Sequence, residues 1–281
     1  MQATDGCENT DFATATAVVR RGTSPHVFDG RLRPEWKSDG RLTGSILLTM
    51  AARAAARTMH IETDKFFPSV LSACFLSTAQ PGPVTVRAEL LRSGSRITTG
   101  QASLSQCTRD GQYTERMRAL ITHGKFDDRP VDAGTTPPRI PAPDACVGRQ
   151  NTPARLVERL DMVAGLDVRL SPACVGWLFD SPARSGRFDG WVRLTDGQPP
   201  DPMLLLVAIA SLPPISFDFG QAGWLPMVQL TAHIRAKPAP GWLQVSTSTR
   251  IGSDQSVIED AEVWDSEGTL VVQSRQFAAP T

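Results

Sequence analysis

Two stretches of this chain decide its fold. Residues 81–123 read PGPVTVRAELLRSGSRITTGQASLSQCTRDGQYTERMRALITH, and residues 240–278 read PGWLQVSTSTRIGSDQSVIEDAEVWDSEGTLVVQSRQFA. Both open on Pro-Gly and continue with an alternating run. Both then turn near a glycine, Gly94 or Gly252, run again, turn at Asp110-Gly111 or Glu267-Gly268, and finish with a third run. Glycine suits such corners because it accepts positive φ. The alternation places Val84, Val86, Ala88 and Leu90 on one face and Thr85, Arg87 and Glu89 on the other. That is the period of a half-buried antiparallel strand. The chain therefore contains an internal repeat of three strands.

A helix precedes each set. Residues Gly44–Met59 (GSILLTMAARAAARTM) are rich in Ala, Leu and Met, with Ile46, Leu47, Met50, Ala51 and Ala54 at helical spacing. Residues Asp201–Ser211 (DPMLLLVAIAS) begin with a capping Asp and a Pro suited to the first turn, and Pro213-Pro214 ends the segment. This second helix is apolar all round, so it is expected to be buried on every side. A buried helix wrapped by a curved antiparallel sheet is a hotdog unit. Two in one chain cover each other's sheet edge. The expected fold is thus α+β, a double hotdog: residues 1–126 form the N-terminal unit, 127–160 a Pro-rich linker, and 161–281 the C-terminal unit. The linker holds Pro130, Pro137, Pro138, Pro141, Pro143 and Pro153, and residues 156–163 (LVERLDMV) read as a short amphipathic helix or the start of the second unit.

Composition narrows the function. With 281 residues the chain suits two domains. Lys+Arg equals Asp+Glu at 29 each, which removes the electrostatic reason to expect a nucleic acid or an anionic membrane. The five cysteines are widely spaced without a C-x-x-C pair, so neither a disulfide framework nor a zinc site is expected. No metal and no cofactor is predicted. The start MQATDGCENT is polar and acidic rather than a basic stretch followed by an apolar run, and predicts a cytoplasmic protein. The run Met203–Ala210 is far short of the ~20 residues of a spanning helix. There is no G-x-S-x-G elbow and no Walker loop.

The segments Gly40–Ala55 (GRLTGSILLTMAARAA), Phe75–Gln106 and Pro226–Phe277, the last with HIRAKPAPGWL, Val263-Trp264-Asp265 and SRQF, are each weak signals, but their order is informative. Together they resemble the thioesterase II-type acyl-CoA thioesterases, and their actinobacterial thioesterase-like branch in particular. The resemblance implies a CoA- or carrier-linked acyl thioester as substrate. It also implies three groups that hold and activate a water: an Asp near the end of the second helix, a Thr on the next strand and a Gln on the last strand. The Gln falls on Gln276. The Asp position falls on Ala210 and the Thr position on Val228, so one of the three is present. Thr231, three residues on, is the catalytic candidate to replace the missing hydroxyl through a register shift or bulge, since its odd offset otherwise points to the other face of a strand. The helix start at Gly44-Ser45 is the expected oxyanion site.

A neutral amide positions a water but cannot take its proton, so a carboxylate base is needed. Asp201 reads as a helix cap, and Asp218, in a loop beyond the prolines, as solvated. Asp39, ahead of the first helix, remains as the catalytic candidate. His233 shares a strand face with Gln229, Thr231 and Arg235 and reads as an outward polar group or a pocket wall, whereas His123 ends a strand. Trp36 and Trp224 precede the pocket elements and are candidates to line an acyl tunnel. Hydrolysis leads these readings. A non-hydrolytic acyl binder and a natural-product cyclase or isomerase in the same apolar cavity stay open. The sheet faces leave room for a homo-oligomer.

Overall fold

The structure is a computed structural model that describes residues 11–38, 41–61, 66–125, 134–153, 165–220, 225–250, 252–253 and 256–280. A short helix α1 (Phe12–Ala15) leads into β1 (Val18–Arg20) and β2 (Val27–Leu32). A two-residue ribbon, β3 (Lys37–Ser38) and β4 (Arg41–Leu42), precedes the long helix α2 (Gly44–Thr58). Four long strands follow: β5 (Phe66–Phe75), β6 (Gly82–Arg92), β7 (Ile97–Cys107) and β8 (Tyr113–Lys125). The second half repeats the plan. It runs β9 (Leu166–Leu170), β10 (Arg187–Leu194), α3 (Pro202–Ala208), β11 (Met227–Ile234), β12 (Leu243–Ser248), β13 (Gly252–Ser253), β14 (Ser256–Trp264) and β15 (Leu270–Ala278).

The strands form one antiparallel sheet in the order β1-β2-β6-β7-β8-β5-β11-β15-β14-β12-β10-β9, with β13 paired to β14. The order is a palindrome of the two halves. It is sewn together where β5 meets β11, with Ala73 opposite Leu230. Each half thus hides one sheet edge against the other, the exposed-edge problem that a lone unit would face. The corner glycines Gly111 and Gly268 take φ +80° and +78°, as the turn reading requires.

Helix α2 packs on β6, β7 and β8 and crosses α3. Its Ala51, Ala52, Ala54 and Ala55 are fully buried, and such small side chains let the second helix approach closely. Asp201 is the cap of α3, accepting from Leu204 N at 2.7 Å. Leu204, Leu205, Leu206, Val207 and Ala208 are all buried, as a helix apolar on every side demands.

The described part of the Pro-rich segment is strapped to the C-terminal half. Trp191 Nε1 donates to the Pro141 carbonyl at 2.8 Å, Gln244 Nε2 donates to that of Pro138 at 2.6 Å, and Val147 bridges Leu170. The expected limits at 126/127 and 160/161, and the helix expected at 156–163, lie outside the described residues.

One sequence reading is corrected. Asp218 is not solvated: it is 1% exposed and accepts from Arg184 N, Ser185 Oγ and Gly186 N at 3.1, 2.9 and 2.9 Å. A buried carboxylate with three donors holds a loop together. His123 lies two residues from the end of its strand, as read. It is fully buried within β8, and burial lowers its pKa from 6.5 to about 4, so it is neutral there. No helix among the described residues is long and apolar enough to cross a membrane.

Candidate active site

The site begins where α3 ends. Ile209 and Ala210 continue the helix as a tightening turn, with Ala210 N donating to the Val207 carbonyl at 3.1 Å. Leu212, Pro213 and Pro214 then carry the chain over the sheet, and a 3-10 turn forms at Ile215–Phe219. Proline cannot extend the helix, so the backbone N–H of Ile215 is left without a helical acceptor.

That N–H finds a side chain. On β14 the residues Val257, Glu259, Ala261 and Val263 fall on the buried face, so Glu259 occupies a position in the apolar phase of the strand. Its carboxyl is 4% exposed. Oε1 accepts from Ile215 N at 2.8 Å. Directly opposite on β15 stands Gln276, whose Nε2 donates to Oε2 of Glu259. Burial raises the carboxyl's pKa above its ordinary value, and the hydrogen bonds from Ile215 and Gln276 pull back only part of the way. A carboxylate accepts and does not donate, so it fixes the Gln276 amide with nitrogen inward. The carbonyl Oε1 of Gln276 is left buried and without a partner, as is the hydroxyl of Ser216.

These groups line a cavity of about 40 Å³, shared with Ile209, Ala210, Leu212, Leu225, Met227 and Thr247. The space suits one or a few waters, not an acyl chain. Its polar groups are a raised-pKa carboxyl, an amide oxygen and hydroxyls. Such a set can bind a water and remove its proton.

The structure brings together two of the expected positions, Gln276 and Ala210. Val228 sits at a β-bulge between Met227 and Gln229 on β11, beside the cavity-lining Met227. Thr231 lies on the far face of the sheet, despite that bulge. It is paired with Arg275 and Ser72, and its hydroxyl is 3.3 Å from Ser72 Oγ. His233 is exposed in the same outer groove, with Gln273 and Arg275. Gly44 and Ser45 open α2. Gly44 is pressed on the Phe75 ring, where a Cβ would come within 2.7 Å, and Ser45 Oγ is buried without a partner. Neither lines the cavity. Phe75 is on β5, two strands and so roughly 10 Å from β15. Trp36 packs on Phe12 with ring centroids 5.8 Å apart, so it belongs to the core rather than to a tunnel. Asp39 and Trp224 lie outside the described residues.

Sequence reasoning missed Glu259. Its signal was the phase of β14: a charged residue in register with Val257, Ala261 and Val263.

Comparison with known proteins agrees with the two-unit architecture. Residues 32–124 match the acyl-CoA thioesterase N-terminal domain, and residues 142–279 match the acyl-CoA thioesterase C-terminal domain. An uncharacterised protein of Mycobacterium tuberculosis is 29% identical over 96% of this chain and 98% of its own length. A Thermobifida fusca structure assigned as a thioesterase II superposes with TM-score 0.80 at 28% identity, covering 95% of this chain and 96% of that one. A hot dog fold protein of Alicyclobacillus acidocaldarius superposes with TM-score 0.79 at 19% identity, over 96% and 97% of the two chains. With both of its halves matched in order, the chain belongs to the acyl-CoA thioesterase family.

Proposed function

We propose that this protein hydrolyses acyl-CoA or acyl-carrier thioesters at the second-half site, beside Ala210 and Gln276. One observation carries the reading: Gln276, the amide that the family resemblance gives to water placement, lines a water-sized cavity with its carbonyl oxygen unpartnered. Ile209, Leu225 and Met227 give this water-sized cavity its apolar wall. The start of α2, with buried Ser45, is where the family resemblance places the donors to an oxyanion. The unpaired thiols Cys74 and Cys107, exposed on the surface, suit a reducing cytoplasm. Val70, Leu120, Ile258 and Phe277 leave apolar surface on the outer sheet face, which favours association of copies there.

A second reading, an acyl-thioester binder without turnover, is favoured by Ala210 and Val228, which lack the family's carboxylate and hydroxyl. A panel from acetyl-CoA to palmitoyl-CoA, assayed for free thiol, separates the two. The hydrolase reading expects turnover of at least one member. Saturable binding of the panel with no thiol release would establish the binder instead.

A further inference from the structure

We propose that Glu259 is the general base of the hydrolysis, reaching the cavity from β14 and replacing the carboxylate that the family places at the Ala210 position. The inference rests on the thioesterase reading above and names the group that reading lacks.

Three observations converge on it. First, Glu259 stands where the strand pattern asks for an apolar side chain, between Val257 and Ala261 on the buried face. Burying a carboxyl costs several kcal/mol unless it is well compensated. Its partners are both neutral, one backbone N–H and one amide. An apolar residue would pack there at lower cost, so stability does not account for it. Second, Glu259, Gln276, Ser216 and Ala210 line the same cavity. A water there has three polar partners: the Glu259 carboxylate, Gln276 Oε1 and Ser216 Oγ. The last two are buried and otherwise unpartnered. Three partners is the usual complement of a buried water. Third, Ala210 puts a methyl group rather than a second carboxylate in the lining of that cavity. Two carboxylates so close would raise one pKa strongly.

The step balances with these groups alone. Glu259 takes one proton of the water as the water oxygen bonds to the thioester carbonyl carbon, and the carbonyl π pair moves onto oxygen. The second water proton rests on Gln276 Oε1 and keeps the lone pair aimed. When the tetrahedral adduct collapses, the C–S bond breaks, the electron pair leaves on sulfur, and the protonated Glu259 returns its proton to the thiolate. The products are a carboxylic acid and the thiol, with Glu259 again ionised. Gln276 is here a positioning residue.

The carboxyl's raised pKa adds a signature. The base is active only when ionised, so kcat/KM falls as pH drops through that pKa, above the ordinary glutamate value of 4.5. The test combines Glu259→Gln, a near-isosteric change, with the pH profile of the unaltered protein, scored by thiol release from the acyl-CoA panel. The expected result is a 10²–10⁴-fold loss of kcat with KM within threefold, and an acid limb of the wild type centred above the ordinary carboxylate range. Turnover in Glu259→Gln within threefold of wild type would overturn the assignment and leave the thioesterase reading standing. So would a wild-type profile that stays flat down to pH 4.5, a measurement that needs no variant to fold. No release by the wild type on any substrate would overturn the thioesterase reading itself, and the base with it.

Discussion

The two halves of the molecule have the same strand plan and place different chemistry on it. In the first half, β7 and β8 bring Ala102 opposite Ala119 on the buried face, beside Ala73 of β5. In the second half, β14 and β15 bring Glu259 opposite Gln276, beside Leu230 of β11. The interval from Ala119 to Gln276 is that from Gly111 to Gly268, and the interval from Ala102 to Glu259 is the same again. One half therefore fills its counterpart site with methyl groups, while the other keeps a carboxyl, an amide and room for water. The comparison teaches that the first half offers no polar pair at this position, whereas the second half does, which is why the proposed chemistry is assigned to the second half.

The largest effect should come from removing the difference at its charged member. Glu259→Gln is expected to lower kcat by 10²–10⁴-fold. Adding Ala210→Asp to that variant, which restores a carboxylate from the helix side, should recover at least tenfold, read by steady-state thiol release. Glu259→Gln should also raise Tm at pH 7. The folded pKa of Glu259 is raised, so its stability contribution is complete below the unfolded value near 4.5 and is lost as pH climbs through the folded one. Removing the charge removes that loss, and ~1 kcal/mol would read as about 2–4 °C in a chain of this size.

The first half has its own buried ionisable group, and it sharpens the contrast. His123 is neutral, with both ring nitrogens unpartnered, and its pKa is lowered to about 4 by burial. A lowered histidine pKa gives stability that is present above about 6.5 and lost as pH falls through about 4. His123→Leu should abolish that acid-dependent loss, on the order of 3 kcal/mol, in urea titrations at pH 7 and pH 4. It should leave thiol release within twofold at pH 7.

Gln276→Ala is smaller. Losing one positioned hydrogen bond costs about 1–3 kcal/mol, or roughly 5–150-fold in kcat. The smallest effect tests the two faces of one sheet. Thr231→Val faces Ser72 and the outer groove, and is expected to change kcat by less than twofold. A hundredfold loss there would return Thr231 to the site and contradict the register.

Much of this fold was legible in the sequence, and the reasons are local. The Pro-Gly openings and the Gly111 and Gly268 corners announce turns, and the alternation of Val84 to Leu90 announces a strand. The Asp201-Pro202 start and the Pro213-Pro214 stop frame the second helix. Parity alone put Thr231 on the far face. The site was harder to read. Residues 256–264 carry Glu259, Asp260 and Glu262 on both faces, so charge by itself does not single out one residue. What selects Glu259 is the cover laid over it by Leu212, Pro214 and Ile215, a tertiary contact 44 residues away in sequence. Asp218 was misread for the same reason. Its burial comes from chain segments that no local pattern reveals.

The most direct test makes the two halves alike. The double variant Glu259→Ala/Gln276→Ala gives β14 and β15 the Ala–Ala pair that β7 and β8 already have. Thiol release from the best acyl-CoA substrate should fall at least hundredfold while Tm at pH 7 stays at or above that of the wild type. Release within a few-fold of the wild type would contradict the account, because hydrolysis would then owe nothing to the Glu259–Gln276 pair.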